Sequence, residues 1–465
     1  MRRVGRIAVL LAIPATIISA AASEARVTAG PGARVSDDRL VRAAGVNGVV
    51  HQAEAELAID PGNARHLLGG AQEARLGSGG ARANAFYVST NGGQTWTRGL
   101  VPGIGRLTGG SYQRVSDPVV ALGRSGAAYY SSLALDIDHA TGIPTDSAVL
   151  VNRSPDDGHT WRSPVAVAKS HGAVLLDKEW VAVDGGASSP RADALYVVWT
   201  KIDTGKQPVD YQIFFARSID GGLTWTTPGV ISGGDSSVAG AIVLVRPNGD
   251  LAVVYQRFSL KSGQRSVRVV RSQDGGDHWS HPATVTRFSS GSVPDTRAAL
   301  GLTAAAEPST GRFEIAWQRA GPHGGGSDVA TAGSDDGGRS WTRPVRVLPK
   351  GDSTLAFVPS IAVSGKRVGV LLYERLGGSS RRNYLVSYAQ SSNGGRSFGH
   401  PIAISPRFDA HNASPSDRGR FFGDYAGLVE TSSFAQALWV DSRNRPSTSG
   451  PRGGNDVFTA RIATH

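Results

Sequence analysis

Short apolar runs of strand length recur along the chain, broken by turns rich in Gly, Asn and Asp. They group into a repeating unit. An apolar first strand is followed by a turn and a second strand ending in an aromatic or polar cluster. A third strand, an eight-residue turn and a fourth strand complete the unit. Paired first and second strands are predicted at 51–73, 114–135, 176–202, 236–258, 295–320, 354–376 and 418–444. The last pair continues into a third strand from Asp456 to Ile462. Period-2 alternation of this kind points to antiparallel sheets.

The eight-residue turn occurs six times, beginning at Ser89 (STNGGQTW), Ser154 (SPDDGHTW), Ser218 (SIDGGLTW), Ser272 (SQDGGDHW), Ser334 (SDDGGRSW) and Ser391 (SSNGGRSF). Its first residue is Ser, its third Asp or Asn, its fifth Gly and its eighth Trp or Phe. The Asx side chain can fold back onto backbone N–H groups and close the turn. The glycine supplies a positive φ, and the aromatic is large enough to pin the turn to the next sheet. Copies spaced 54 to 65 residues apart are a repeat architecture.

This motif is the Asp-box, and the chain resembles the Asp-box (BNR) repeat β-propellers of the sialidase superfamily. The segments DKEWVAVD, GDYAGL and VDSRN look similar to those of secreted bacterial BNR-repeat proteins. The resemblance implies an all-β fold, a β-propeller. The count of strand pairs gives seven four-stranded blades, six being the alternative. An open last blade would leave an unpaired edge, so the polar segment 26–48 is expected to donate the closing strand. A strand-like piece is expected within it, from Leu40 to Ala44. The propeller is assigned to 49–465.

Residues 1–25 read as a secretory signal. Arg2, Arg3 and Arg6 form its basic start, Ile7 to Ile18 its apolar core, and Ala20-Ala21-Ala22 a small-residue cleavage site. Secretion to the cell envelope or beyond is expected, without a stable membrane anchor after cleavage. The chain has no cysteine, which removes disulfides, thiolate metal sites and cysteine nucleophiles. The formal charge of +11 falls to +9 without residues 1–25, which hold Arg2, Arg3, Arg6 and Glu24, and favours anionic partners. Dispersed arginines with no stacking-aromatic motif argue against nucleic acid, leaving a glycan or other anionic polymer. No cofactor and no metal are expected, and the protein is expected to be a monomer. Asp136, Asp138 and Asp146 read as a solvated acidic loop rather than a calcium site.

Strand direction puts the starts of first strands and the ends of second strands on one face, away from the Asp-box turns. Charged residues collect there. First strands begin with Arg114 and Asp117, with Asp177, Lys178 and Glu179, with Asp295 and Arg297, and with Arg420, Asp424 and Tyr425. Second strands end with Arg257, Arg319, Glu374 and Arg375, and Asp441 and Arg443. An aromatic–Gln/Glu–Arg triplet recurs in three units, which predicts equivalent positions for Arg257, Arg319 and Arg375. Two arrangements compete. In one, Arg257, Arg319, Arg375, Arg443, Asp177, Lys178 and Asp424 bind an anionic ligand. In the other, acidic strand starts pair with basic strand ends of neighbouring units and hold strands in place.

The family resemblance also implies a catalytic alternative, an exo-α-sialidase-type glycosidase. Arg257, Arg319 and Arg375 would hold a substrate carboxylate, Tyr425 with Glu374 would be the nucleophile pair, and Asp117 the acid/base. Against this, the Arg-Ile-Pro motif of the family is absent, and residues 51–57 read His-Gln-Ala-Glu-Ala-Glu-Leu. No G-x-S-x-G, Walker loop or histidine metal motif is present.

Overall fold

In each Asp-box the serine has a mechanical role that the spacing alone does not reveal. Its hydroxyl accepts the N–H of the glycine four residues on, at 2.8–3.0 Å in all six copies. That glycine sits at φ between 72° and 99°, where a side chain would be strained. The Asx then accepts further N–H groups; Asp220 takes those of Leu223 and Thr224 at 3.0 and 2.9 Å. Each turn is thereby closed by its own side chains.

The computed structural model describes residues 27–464, except positions 31, 125, 139, 142, 187, 260, 261, 299, 322–324, 353, 378–382 and 445–453. The signal segment therefore lies outside the described residues. Among those described, the chain is almost wholly β, and no helix is long and apolar enough to cross a membrane. The strands form successive antiparallel units. Unit I comprises Ala53–Asp60, Asn63–Arg75, Ala81–Ser89 and Thr97–Leu100. Unit II comprises Arg114–Leu122, Ala128–Ile137, Pro144–Ser154 and Val165–His171, and its sheet joins that of unit I through the single strand pairing Ala81–Val115. Four-stranded units III, IV, V and VI begin with Val174–Val183, Val238–Val245, Leu302–Ala306 and Leu355–Ser364.

The last unit, VII, holds Gly427–Glu430, Phe434–Asp441 and Asp456–Ala463. Its outer strand pairs with two short N-terminal strands, Thr28–Ala29 and Ala33–Arg34. The piece around Leu40 is not a strand. Asp37 and Asp38 precede it, Arg42 N–H donates to Asp38 O at 3.0 Å, and Arg39–Arg42 forms a single helical turn. Nor does Arg420-Phe421 open the first strand of unit VII. It pairs with Ser414–Ser416 as a separate hairpin.

Apolar residues of adjacent units interdigitate in one core after another, and one core joins unit I (Leu57, Leu67, Tyr87) to unit VII (Leu438, Val440). The box aromatics pack the opposite way from the sequence expectation. Trp161 at the end of unit II's box meets Phe86 of unit I at 5.8 Å, and Trp279 of unit IV's box meets Phe215 of unit III at 5.0 Å. The turn folds back towards the preceding unit because the positive-φ glycine reverses the chain before the aromatic is reached.

The hydrogen bonds donated to the box carboxylates hold Asp156, Asp220 and Asp336 down to about 2, from an ordinary value of 3.8. A depressed carboxylate adds stability that is present above pH ~4 and is lost as pH falls towards 2. Asp220→Asn keeps the acceptor but not the charge. Its melting temperature should lie below wild type at pH 7 by up to about 2 °C, with the gap closing at pH 2.5. Thermal scans at the two pH values check this.

Candidate functional site

Five of the seven first strands slip in register near their starts, a positive-φ glycine precedes the other two, and these places carry the site. Register slips occur between Ala53 and Glu56, Ser116 and Val119, Asp177 and Trp180, Ala239 and Ile242, and Phe357 and Ser360. Within the slips sit Glu54 (φ 56°), Asp117 (φ 44°), Lys178 (φ 52°), Gly240 (φ 67°) and Val358 (φ 43°). Gly301 (φ 42°) precedes the first strand of unit V, and Gly423 (φ 145°) lies beside Asp424 before that of unit VII. Glycine meets the conformational demand in three units. In three others a charged L-residue takes a conformation costing about 1–3 kcal/mol.

Those charged residues meet. Lys178 Nζ donates to Glu54 Oε1 at 3.0 Å and Asp117 Oδ1 at 3.3 Å, and lies 2.8 Å from Asp424 Oδ2. Asp117 also accepts the Lys178 backbone N–H, and Ser116 Oγ donates to it at 3.1 Å. Gln72 bridges units I and II, donating to Glu54 and to Ser116. Arg297 approaches Asp424 at 3.3 Å and lies 4.4 Å above the Phe421 ring, which Arg75 covers at the same distance. Arg75 also donates to Ser414 Oγ and Pro415 O, fastening the 414–421 hairpin to unit I.

Burial pushes the Glu54 carboxyl well above its usual range, and the neighbouring Asp117 charge adds to this. Burial opposes ionisation of Asp117 and Asp424 as well, but the Lys178 ammonium outweighs it and holds both below theirs. Lys178 is desolvated too, yet the surrounding carboxylates raise it well above an ordinary lysine. Protonated Glu54, hydrogen-bonded to Asp117, then leaves two carboxylates against Lys178 and Arg297, a balanced cluster. Asp177, half-buried at the edge, is pushed up to about 6 by burial and by Asp117. It can exchange a proton near neutrality.

Beneath the cluster lies a cavity of about 240 Å³ lined by Glu56, Trp180, Ile242, Leu302, Ile361 and Leu428 among others. Tyr425 stands at its top with its ring edge-on to Trp180 at 6.0 Å and 5.4 Å from Lys178 Nζ. Its hydroxyl donates to Pro118 O at 3.0 Å.

Of the residues singled out in the sequence, the structure brings together Asp117, Asp177, Lys178, Asp424 and Tyr425, with Arg297. The others lie apart. Arg257 pairs with Asp235 at 3.7 Å, Arg319 with Asp328 at 3.3 Å and Arg443 with Asp441, each within its own unit. The predicted equivalence of Arg375 fails by one residue. Gln256 and Gln318 both reach the next unit, at Leu300 O and Val358 N, and the residue that does so in unit VI is Tyr373, bonded to Val440. Alternation therefore turns Glu374 away from unit VII, onto Ser387 and away from Tyr425.

The acidic strand starts do form ion pairs, but with another strand start, Lys178, rather than with basic strand ends. Glu54, central to the cluster, escaped the sequence reading. Its signal was the Glu54–Glu56 alternation at the head of a first strand. The acidic loop residues are engaged separately: Asp136 accepts Gln113 N–H, Asp138 caps its own turn and Asp146 pairs with His171. No metal-ligating cluster occurs among the described residues.

No family model matches the chain, and no curated protein matches it in sequence. Solved structures of similar fold include a protein of unknown function from Dyadobacter fermentans, over 94% of this chain and 99% of that one, with 13% identity and TM-score 0.48. A leech intramolecular trans-sialidase is similar over 77% of this chain and 72% of that one, with 14% identity and TM-score 0.49. A PL25 ulvan lyase is similar over 89% and 94%, with 12% identity and TM-score 0.49. By its own strands the chain is all-β, built of successive antiparallel sheets, and sialidases and a polysaccharide lyase are among its structural neighbours.

Asp177 gives this site a pH signature. Its folded value near 6 exceeds the ordinary 3.8, so its contribution to stability is complete below about pH 4 and is lost as pH rises through 6. Asp177→Asn should raise the melting temperature at pH 8 by a few degrees and leave it unchanged at pH 4. Paired thermal scans test both halves.

Proposed function

We propose that units I to VII are the blades of a closed, secreted Asp-box propeller that binds an acidic glycan at its channel mouth. The observation that carries this reading is the set of charged L-residues in the first-strand distortions. Glycine takes the same conformation in three units and the uncharged Val358 in a fourth, so the strand start does not itself call for the charges of Glu54, Asp117 and Lys178. Backbone strain of this kind concentrates at functional sites. The chemistry of the rim suits a hydroxyl-rich acidic ligand. Arg297 presents a guanidinium fork to a carboxylate or sulfate, and Asp177 accepts hydroxyl hydrogens.

Binding is the function favoured over sialidase-type hydrolysis. Glu374 and Tyr425, the pair that hydrolysis would use, have separate partners, and the Tyr425 hydroxyl is engaged by a carbonyl. Arg297 is the most accessible cation of the cluster, its side chain 28% exposed. Arg297→Ala should weaken glycan binding by about 1.5–3 kcal/mol. A glycan array identifies the ligand, and calorimetry on both proteins measures the loss. An array hit bound equally by both would defeat the assignment of the mouth.

A further inference from the structure

A second charged feature lies beside the mouth. Leu76, Ser78, Arg82, Arg106, Leu107, Gln113 and Arg114 line a cleft of about 540 Å³ between units I and II. Both its walls lie close in sequence to residues of the mouth. Leu76 follows Arg75, and Arg114 lies three residues before Asp117 on the first strand of unit II. Three strand residues span roughly 10 Å.

Three guanidinium groups converge on this cleft, and no carboxylate lines it. No ion pair joins any of the three to a described residue. Elsewhere Arg297 has Asp424, Arg319 has Asp328 and Arg443 has Asp441, while Arg75 is taken up by Ser414 Oγ and Pro415 O. Arg114 is held in place, donating to Gly79 O at 2.7 Å and Ser78 Oγ at 3.0 Å. Arg106 donates to Ser111 O at 3.2 Å, and Arg82 is exposed. Converging like charges that the chain does not neutralise favour an anion from outside. Guanidinium forks match the planar or tetrahedral oxygens of carboxylate and sulfate. No aromatic lines the cleft, so it offers nothing for a nucleic-acid base to stack on.

We infer that this cleft is a second anion subsite, taking an acidic substituent of a polysaccharide whose neighbouring residue occupies the mouth. The inference rests on the glycan-binding reading and sharpens it. The ligand is a polyanion with acidic groups on successive sugars rather than a chain with one terminal acid.

The test measures binding of dextran sulfate and of neutral dextran to the full chain by calorimetry. Three variants accompany the wild type: Arg82→Gln/Arg106→Gln at the cleft, Arg297→Ala at the mouth, and Arg339→Gln/Arg396→Gln. The last removes the same charge from exposed Asp-box turns on the other face. The cleft variant should bind dextran sulfate about tenfold or more weakly, the box-turn variant should match wild type, and neutral dextran should bind to none. Equal losses in the cleft and box-turn variants would mean diffuse charge attraction and overturn the subsite. Loss at the mouth but not at the cleft would overturn the subsite and leave the mouth reading standing. Loss at the cleft but not at the mouth would overturn the mouth reading and, with it, the polysaccharide that spans mouth and cleft. No binding of dextran sulfate by wild type would overturn both.

Discussion

The candidate site depends on one buried contact, the Lys178 ammonium among the carboxyls of Glu54, Asp117 and Asp424. These come from four separate units: Glu54, Asp117 and Lys178 lie in register slips of their first strands, and Asp424 follows Gly423 just before that of unit VII. A regular strand would direct alternate side chains to the two faces of its sheet. The extra residue in each slip lets a side chain aim along the common axis of the strand starts instead. The same geometry explains why Gly240, Gly301 and Gly423 recur at those places, where an L-residue is strained.

This contact also separates two jobs that charged residues perform here. Arg319–Asp328 ties two paired strands together inside unit V, and Arg443–Asp441 closes the end of one strand of unit VII. The Lys178 cluster joins units that already pack through apolar cores, so the fold has little need of it. Removing charges from water costs several kcal/mol per ion and is repaid only when every partner is in place. Asp424 Oδ1 and Glu179 Oε2 are buried beside the cluster without a hydrogen-bond partner among the described residues, so its polar requirements are not fully met from within.

The sheets and the turns between them were legible in the sequence because both are local. Alternating apolar runs declare strands, and a Ser–x–Asx–x–Gly turn closes on its own atoms. The site was legible only in part. Asp117, Lys178 and Asp424 stood out as charges at strand starts, where a solvated residue is unremarkable but a row of them is not. Glu54 is hidden because an acidic residue at the head of an apolar strand looks solvated until the slip that turns it inward is known. The triplet around Arg375 misled for a physical reason: a shift of one residue relative to the slip sends Tyr373 to the next unit and Glu374 to the other side. The direction in which the box aromatics pack was likewise invisible, since it depends on the path after a positive-φ glycine.

The measurement closest to the central claim neutralises the cluster without emptying it. The variant Asp117→Asn/Lys178→Met/Asp424→Asn keeps side-chain volume and removes the buried charges. Buried ion clusters replaced by neutral groups of similar size often leave stability unchanged or raise it by about 1–4 kcal/mol. If the cluster serves a ligand, chemical denaturation should give a midpoint at or above wild type, while binding to the array-identified acidic glycan is lost. A variant that unfolds more readily and binds that glycan as wild type does would show that the charges serve the fold, and would contradict the account.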